Sequence, residues 1–335
     1  MPDVDSTEPQ QEVDSGASDE HVTDAFALLG HETRLNILLA IWEAHELHED
    51  DNTVAFSQIL KRVGHDDPGN LRYHLEKLEG QFVRQHIERG GYELRIPAQK
   101  LVRAVIAGAG VRNETLKPTE IDQACPFCDA ATTMSYREGI LFWSCTECGG
   151  MAPGNSNGPP GQPGTVGPLS VLPFDPGSLA DWTPEELRTV TMVLGRRKIR
   201  SMFNGICPTC SGPVDGWFEC CPDHDPTGTC EACGMTFANL AWFQCRTCEN
   251  YLSSMPSRLA LLHPAVVSFY DDHGVSTRVR ADDFEHARLV YDLMLDHEVE
   301  LVDEDPTKVA VAASIDGDTI RMIFDETVRV IDVHR

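Results

Sequence analysis

Apolar positions in the first third of the chain recur mostly at helical spacing. Ala25–Leu29 predicts a short helix, and Glu32–Trp42 a second with Leu35, Leu38, Leu39 and Trp42 on one face. Val54–Val63 predicts a third. A turn through Asp66, Asp67, Pro68 and Gly69 leads into a fourth, Asn70–Leu78, where Leu71, Leu75 and Leu78 fall at i, i+4 and i+7. Two extended runs, Phe82–Glu88 and Tyr92–Ile96, then flank Arg89-Gly90-Gly91 and predict a β-hairpin with a glycine-rich tip. A last amphipathic helix carries Leu101, Val102, Val105 and Ile106.

Further on, Thr132–Arg137 and Ile140–Ser144 read as two strands around the tight turn Glu138-Gly139. Ten of the sixteen residues from Pro153 to Pro168 are Gly or Pro, the composition of a linker. Thr183-Pro184-Glu185-Glu186 has the capping-box signature of a helix start, and that helix runs to about Phe203. Apolar stretches around Trp217-Phe218 and Trp242-Phe243 are candidate paired strands. The tail predicts helices over Pro256–His273 and Ala281 to about His297. A hairpin follows, Val309–Ile315 and Thr319–Phe324 around Asp316-Gly317-Asp318, with a third strand over Thr327–Val333.

Charge narrows the functional classes. The chain has 335 residues, 27 Lys+Arg and 53 Asp+Glu, for a net charge of −26. Its first twenty residues hold seven acids and no base, a composition of disorder and the opposite of a secretory signal. No apolar run approaches the roughly 18 residues of a membrane span, so the expectation is a soluble, cytoplasmic protein. Only six of the basic residues are Lys and twenty-one are Arg, and acidic surfaces poor in Lys suit molar salt. The global charge argues against a general polyanion binder, so any nucleic-acid surface must be local. Residues 61–112 provide one: ten basic against six acidic residues, a balance of +4.

The twelve cysteines fall between Cys125 and Cys248. Ten form Cys-x-x-Cys pairs, which favour zinc over disulfides in a reducing compartment. Cys125, Cys128, Cys145 and Cys148 bracket the Glu138-Gly139 hairpin, the layout of a zinc ribbon. Eight further ligands, Cys207, Cys210, Cys221, His224, Cys230, Cys233, Cys245 and Cys248, supply two more four-coordinate sites, about three structural zinc ions in all. Their pairing is open. Sequential tetrads, a nested pair with Cys221/His224/Cys230/Cys233 inside Cys207/Cys210/Cys245/Cys248, and an interleaved cross-brace all satisfy the spacing. Cys220 is the odd thiol, an alternative to Cys221. His224, between Asp223 and Asp225, is a ligand by its two-residue gap from Cys221, the alternative being a solvated turn. His45 and His48 are a weaker metal pair at a helix end.

Helix–turn–helix followed by a hairpin is the winged-helix order. Leu28-Leu-Gly-His-Glu-Thr-Arg-Leu-Asn-Ile-Leu38 and Gly69-Asn-Leu-Arg-Tyr-His-Leu-Glu-Lys-Leu78 resemble the ArsR-type winged-helix regulators. The resemblance implies that Asn70, Arg72 and Tyr73 face the major groove of double-stranded DNA. It also implies that Lys77 lies nearer the backbone, that His74 packs, and that the wing-tip Arg89 reaches a phosphate or the minor groove. It implies a homodimer through the first and last helices, near 22–30 and 97–110. The family's metal-sensing Cys-x-Cys is missing from Asp51–Ser57. The layout also resembles a haloarchaeal group of winged-helix proteins with Cys-rich C-terminal halves. A Cys-x-Asp-His element recurs in that group, which favours Cys221 over Cys220.

The expected fold is therefore α+β and multidomain. It comprises an acidic tail (1–20), a winged helix-turn-helix (21–113), a zinc ribbon (120–152), a Gly/Pro-rich linker (153–178), a helix plus two-zinc module (179–252) and an α+β domain (253–335). The expected function is sequence-specific transcriptional regulation, with the tail contacting a partner or effector. The alternative is an adapter of the transcription machinery, similar to the archaeal TFE-type factors that join a winged helix to a zinc ribbon. An enzyme is not expected, because every proposed metal position is filled by protein ligands.

Overall fold

The computed structural model describes residues 19–44, 53–64, 67–108, 114–151, 167–225 and 230–335. The acidic tail to residue 18, His45, His48, Asp66, Arg112 and residues 152–166 of the Gly/Pro-rich stretch lie outside the described residues. The chain forms two compact units, Met1–Val111 and Arg112–Arg335, each with its own hydrophobic core.

In the first unit, α1 (Asp19–Leu29) and α2 (Glu32–Ala44) are followed by β1 (Val54–Ala55), α3 (Phe56–Val63) and α4 (Pro68–Leu78). Then come β2 (Val83–His86), β3 (Gly91–Leu94) and α5 (Ile96–Ile106). Val54 and Ala55, expected as helix, instead pair with Tyr92 and Gly91 and add a third strand, in the order β1-β3-β2. Gly91 permits this approach, since a Cβ there would sit 3.0 Å from the Val54 carbonyl oxygen. The buried side of α2 also differs from expectation. Thr33, Ile37, Leu38, Ala40 and Ile41 are buried, while Leu35 is 41% exposed. Leu39 and Trp42 are half-buried, and Trp42 carries the Arg103 guanidinium 5.3 Å from its ring centroid. Asp67 caps α4 by accepting from the amides of Gly69 (2.8 Å) and Asn70 (3.3 Å), with Pro68 starting the helix.

The second unit holds three sheets around one core. The first has the order β4-β5-β6-β7, with β4 (Leu116–Ile121), β5 (Thr132–Arg137), β6 (Ile140–Cys145) and β7 (Gly167–Pro173). Strand β7 corrects the expected linker: its residues pair with β6 from Cys145↔Gly167 to Ile140↔Pro173. Pro168 and Pro173 are tolerated because β7 is an edge strand. A 3-10 turn (Pro176–Asp181) leads to α6 (Pro184–Phe203). The helix opens on the reciprocal bonds of Thr183 and Glu186, 2.8 and 3.2 Å long.

The second sheet, β10-β9-β8, consists of β8 (Val214–Cys220), β9 (Asn239–Cys245) and β10 (Tyr251–Ser254), with Trp217 opposite Trp242. The helices α7 (Pro256–Ala260), α8 (Pro264–Asp272) and α9 (Phe284–Leu295) precede the third sheet. Its strands, β11 (Glu298–Glu304), β12 (Thr307–Ile315), β13 (Asp318–Phe324) and β14 (Val330–His334), lie in sequence order. Strand β11 was not anticipated. Two tight turns follow their sequence signals: Glu138-Gly139 and Asp316-Gly317 have positive φ at both residues, as a right-twisted two-residue hairpin needs.

The separate modules expected after residue 113 are thus one body. Trp143 on β6, Arg188 on α6 and Tyr291 on α9 meet at its centre. The buried Arg188 guanidinium lies 3.8 Å over the Trp143 ring and 4.8 Å over that of Tyr291.

Candidate functional site

Four of the five Cys-x-x-Cys pairs fold into the same backbone turn. The residue after the second cysteine, Asp129, Ser211, Gly234 or Glu249, takes a φ between 57° and 70°. Its amide donates to the carbonyl of the first cysteine at 2.8–3.1 Å. That cysteine's own amide donates to the carbonyl of the next residue along, Ala130, Gly212, Met235 or Asn250, at 2.8–3.0 Å. The turn aims amides inward at sulfur: that of Thr247 reaches Cys245 Sγ at 3.3 Å, and that of Thr209 reaches Cys207 Sγ at 3.4 Å. The fifth pair, Cys145/Cys148, is built differently. It continues from β6 into a loop that β7 pins, with Met151 N donating to Pro168 O at 2.9 Å.

These turns converge in three tetrads: Cys125/Cys128/Cys145/Cys148, Cys207/Cys210/Cys245/Cys248 and Cys221/His224/Cys230/Cys233. Within each, the ligand atoms lie within 4.8 Å of one another, as one metal ion requires. The nested pairing is therefore the one formed. Pairing of β8 with β9 brings Cys245 opposite Val214, beside Cys207 and Cys210, and leaves the segment between the strands to build its own tetrad. Sulfur–sulfur distances are 3.5 and 3.6 Å in the first tetrad and 3.5 and 3.7 Å in the second. All twelve cysteines are free thiols.

In the third tetrad, His224 Nδ1 lies 3.5 Å from Cys233 Sγ, and Nε2 lies 3.3 Å from the Thr236 carbonyl oxygen. The carbonyl holds an Nε2–H and leaves Nδ1 free to ligate, the usual outer support of a metal-bound imidazole. Cys220 ends β8 opposite Asn239 and belongs to no tetrad. The third tetrad also braces the first: Thr236 Oγ1 donates to Gly150 O at 2.8 Å, and Phe127 packs edge-on to Phe237.

Each tetrad contains at least one thiol held down toward neutrality. Burial raises Cys145 and Cys207, but inward amides outweigh it and bring them to about 7 and about 6. Cys230 is drawn to about 6, chiefly by the amides of Asp225 and Cys233. Other members go the other way: burial pushes Cys125 up, and burial with crowding by Cys233 and Cys230 lifts Cys221 to about 11. Several sulfurs so close together cannot all ionise unless a cation sits among them, so the donor set fits a metal.

Two supporting residues escaped the sequence reading. Thr236 supplies the carbonyl behind His224, and Asn250 Nδ2 reaches Cys207 Sγ at 3.8 Å. Only the position of Asn250, two residues past Cys248, hinted at its role.

In the first unit, α4 buries Leu71, His74, Leu75 and Leu78 and exposes Arg72, Tyr73 and Lys77, with Asn70 half-exposed. Arg72 lies 5.7 Å from the Phe56 ring centroid, and Lys77 the same distance from that of Tyr73. Arg89 is exposed on the turn between β2 and β3. His74 packs against His31 with the rings tilted by 44° and their centroids 4.3 Å apart.

No helix among the described residues is long and apolar enough to cross a membrane. No curated protein and no solved structure matches the chain. A family model described as "Domain of unknown function (DUF7347)" matches residues 22–105. A second, described as "Domain of unknown function (DUF7351)", matches residues 122–330. The two matches fall in the two compact units. Because the second spans more than half of the chain, the protein belongs to the DUF7351 family.

Proposed function

We propose that the protein is a sequence-specific DNA-binding transcriptional regulator, with a winged helix in its first unit and three structural zinc ions in its second. The carrying observation is the division of α4. Its apolar side is sunk in the core, while Arg72, Tyr73 and Lys77 stand out from one exposed side, the layout of a helix that reads a major groove. The β2–β3 hairpin with Arg89 at its turn serves as the wing. Exposed Phe26 on α1 and Val105 and Ile106 on α5 suit a homodimer formed through the first and last helices.

Zinc is the best fit to the tetrads. With zinc–sulfur bonds of ~2.3 Å, a tetrahedron has edges of about 3.8 Å; the sulfur pairs at 3.5–3.7 Å are close to that. Four protein ligands at each ion leave no open position for a substrate, so the role is structural.

Gel shifts and genomic footprinting with the Arg72→Ala/Tyr73→Ala variant test the DNA reading. Sequence-selective binding should fall at least about 10-fold, from ~1–3 kcal/mol per lost base contact. Equal selectivity in variant and wild type overturns the assignment. Stoichiometric recovery of polymerase subunits without any selective site would point instead to the adapter reading.

A further inference from the structure

The densest basic run in the chain lies outside the first unit. Gly195-Arg196-Arg197-Lys198-Ile199-Arg200, in the second half of α6, places four cations in five positions of a chain whose net charge is −26. Burial of Leu187, Val190, Ile199 and Met202 fixes the rotation of the helix. Arg197 and Arg200 are exposed, one turn apart, with Arg196 beside them and half-exposed.

Five exposed or half-exposed arginines elsewhere in this unit pair with acids. Arg246 pairs with Asp215, Arg280 with Asp282, Arg288 with Glu285, Arg321 with Glu300 and Arg335 with Asp272. Among the described residues, no carboxylate forms an ion pair with Arg196, Arg197, Arg200 or Arg258. Arg196 donates only to a carbonyl, Leu261 O, at 3.3 Å. Arg258 on α7 donates to Met294 Sδ at 3.5 Å. These guanidiniums crowd one another: after burial, the like charges of Arg200 and Arg258 are what hold Arg196 down to about 10. Four cations in five positions, on a chain of net charge −26, make this face a local positive patch that suits an anionic partner.

We propose that Arg196, Arg197 and Arg200 of α6 form a second surface for the phosphate backbone of duplex DNA, separate from the α4 helix. The exposed guanidiniums suit phosphate oxygens, which position a protein without reading sequence. Each phosphate contact adds affinity that falls as salt rises, so a second set of contacts shows as a steeper salt dependence. The inference rests on the DNA-binding reading above.

The test is a salt titration of full-length, zinc-loaded protein on its selected duplex, comparing wild type with Arg197→Gln/Arg200→Gln. Both side chains are exposed, and the zinc content reports that the variant has folded. The expected result is a slope of log affinity against log salt shallower by about 2 units. Affinity should drop roughly tenfold at about 0.2 M salt, with sequence preference unchanged. Arg197→Lys/Arg200→Lys should restore the slope. A wild-type slope in the Gln variant overturns the second surface alone and leaves the face to an acidic protein. Absence of duplex binding by wild type overturns the DNA reading and this inference together.

Discussion

His224 has one ring nitrogen 3.5 Å from Cys233 Sγ and the other 3.3 Å from a carbonyl, so neither resembles a solvated turn residue. Removing the ring deletes a ligand and leaves three thiols too crowded to stay ionised. His224→Ala should lower bound zinc from about three to about two per chain, read by elemental analysis of purified protein. Cys220→Ser, one residue from a ligand but outside every tetrad, should leave the count at three. A drop with Cys220→Ser, or none with His224→Ala, would refute the third tetrad. The ligand set was legible because Cys-x-x-Cys is a local pattern: one turn with a left-handed residue builds it. The pairing was not, because it depends on the register of β8 against β9, which spacing alone leaves open. At Cys221 against Cys220 the family resemblance and the structure point to the same sulfur.

At the scale of elements, the misread stretches are those where composition and environment disagree. Residues 167–173 look like linker because Gly167, Pro168 and Pro173 dilute the apolar alternation, yet they form an edge strand of the first sheet. The glycine is required there. A Cβ on Gly167 would run into the backbone of Cys148 and Gly149, and one on Gly150 into Gly167 and Pro168. Backbone of β7 therefore presses directly on the loop that carries the fourth ligand of the first tetrad. Gly167→Ala should cost on the order of 2–3 kcal/mol, the range for overpacking a close contact. It should also speed zinc loss from one of three sites in a chelator competition with a colorimetric dye. Release kinetics equal to wild type would rule out this buttressing. The α2 stripe was misread by a fraction of a turn: Leu38 is buried as expected, but Ile37 and Ile41 are buried while Leu35 is exposed. Leucines mark both sides of that helix, and only the packing of α3, α4 and α5 decides which side is covered. The two hairpins, by contrast, were legible because Glu138-Gly139 and Asp316-Gly317 carry their turn chemistry locally.

For the whole molecule, the distribution of buried sulfur would couple a bound metal to folding. Cys125, Cys145, Cys207, Cys230 and Cys245 are all at most 1% exposed, and four of them belong to the core that runs from Ile121 to Val328. Stripping the metal would leave those thiols buried, crowded and partly ionised inside that core. The first unit has a separate core of Ile37, Leu71, Val102 and their neighbours, with no tetrad among its described residues. Calorimetry of the full chain should therefore give two transitions. At ~0.7 kcal/mol per residue near 60 °C, they are distinguishable by enthalpy, roughly 150 kcal/mol for the second unit against about 60 for the first. A strong chelator should abolish the larger transition or move it down by tens of degrees, because ligation energy is folding energy here. The smaller transition should keep its midpoint. A joint shift of both would mean that the two units fold as one. A larger transition indifferent to chelator would mean that apolar packing alone holds the second unit, with the tetrads as passengers. Sequence reading split that unit into modules because each Cys cluster looks self-sufficient; Trp143, Arg188 and Tyr291, far apart in the chain, are the contacts that join them.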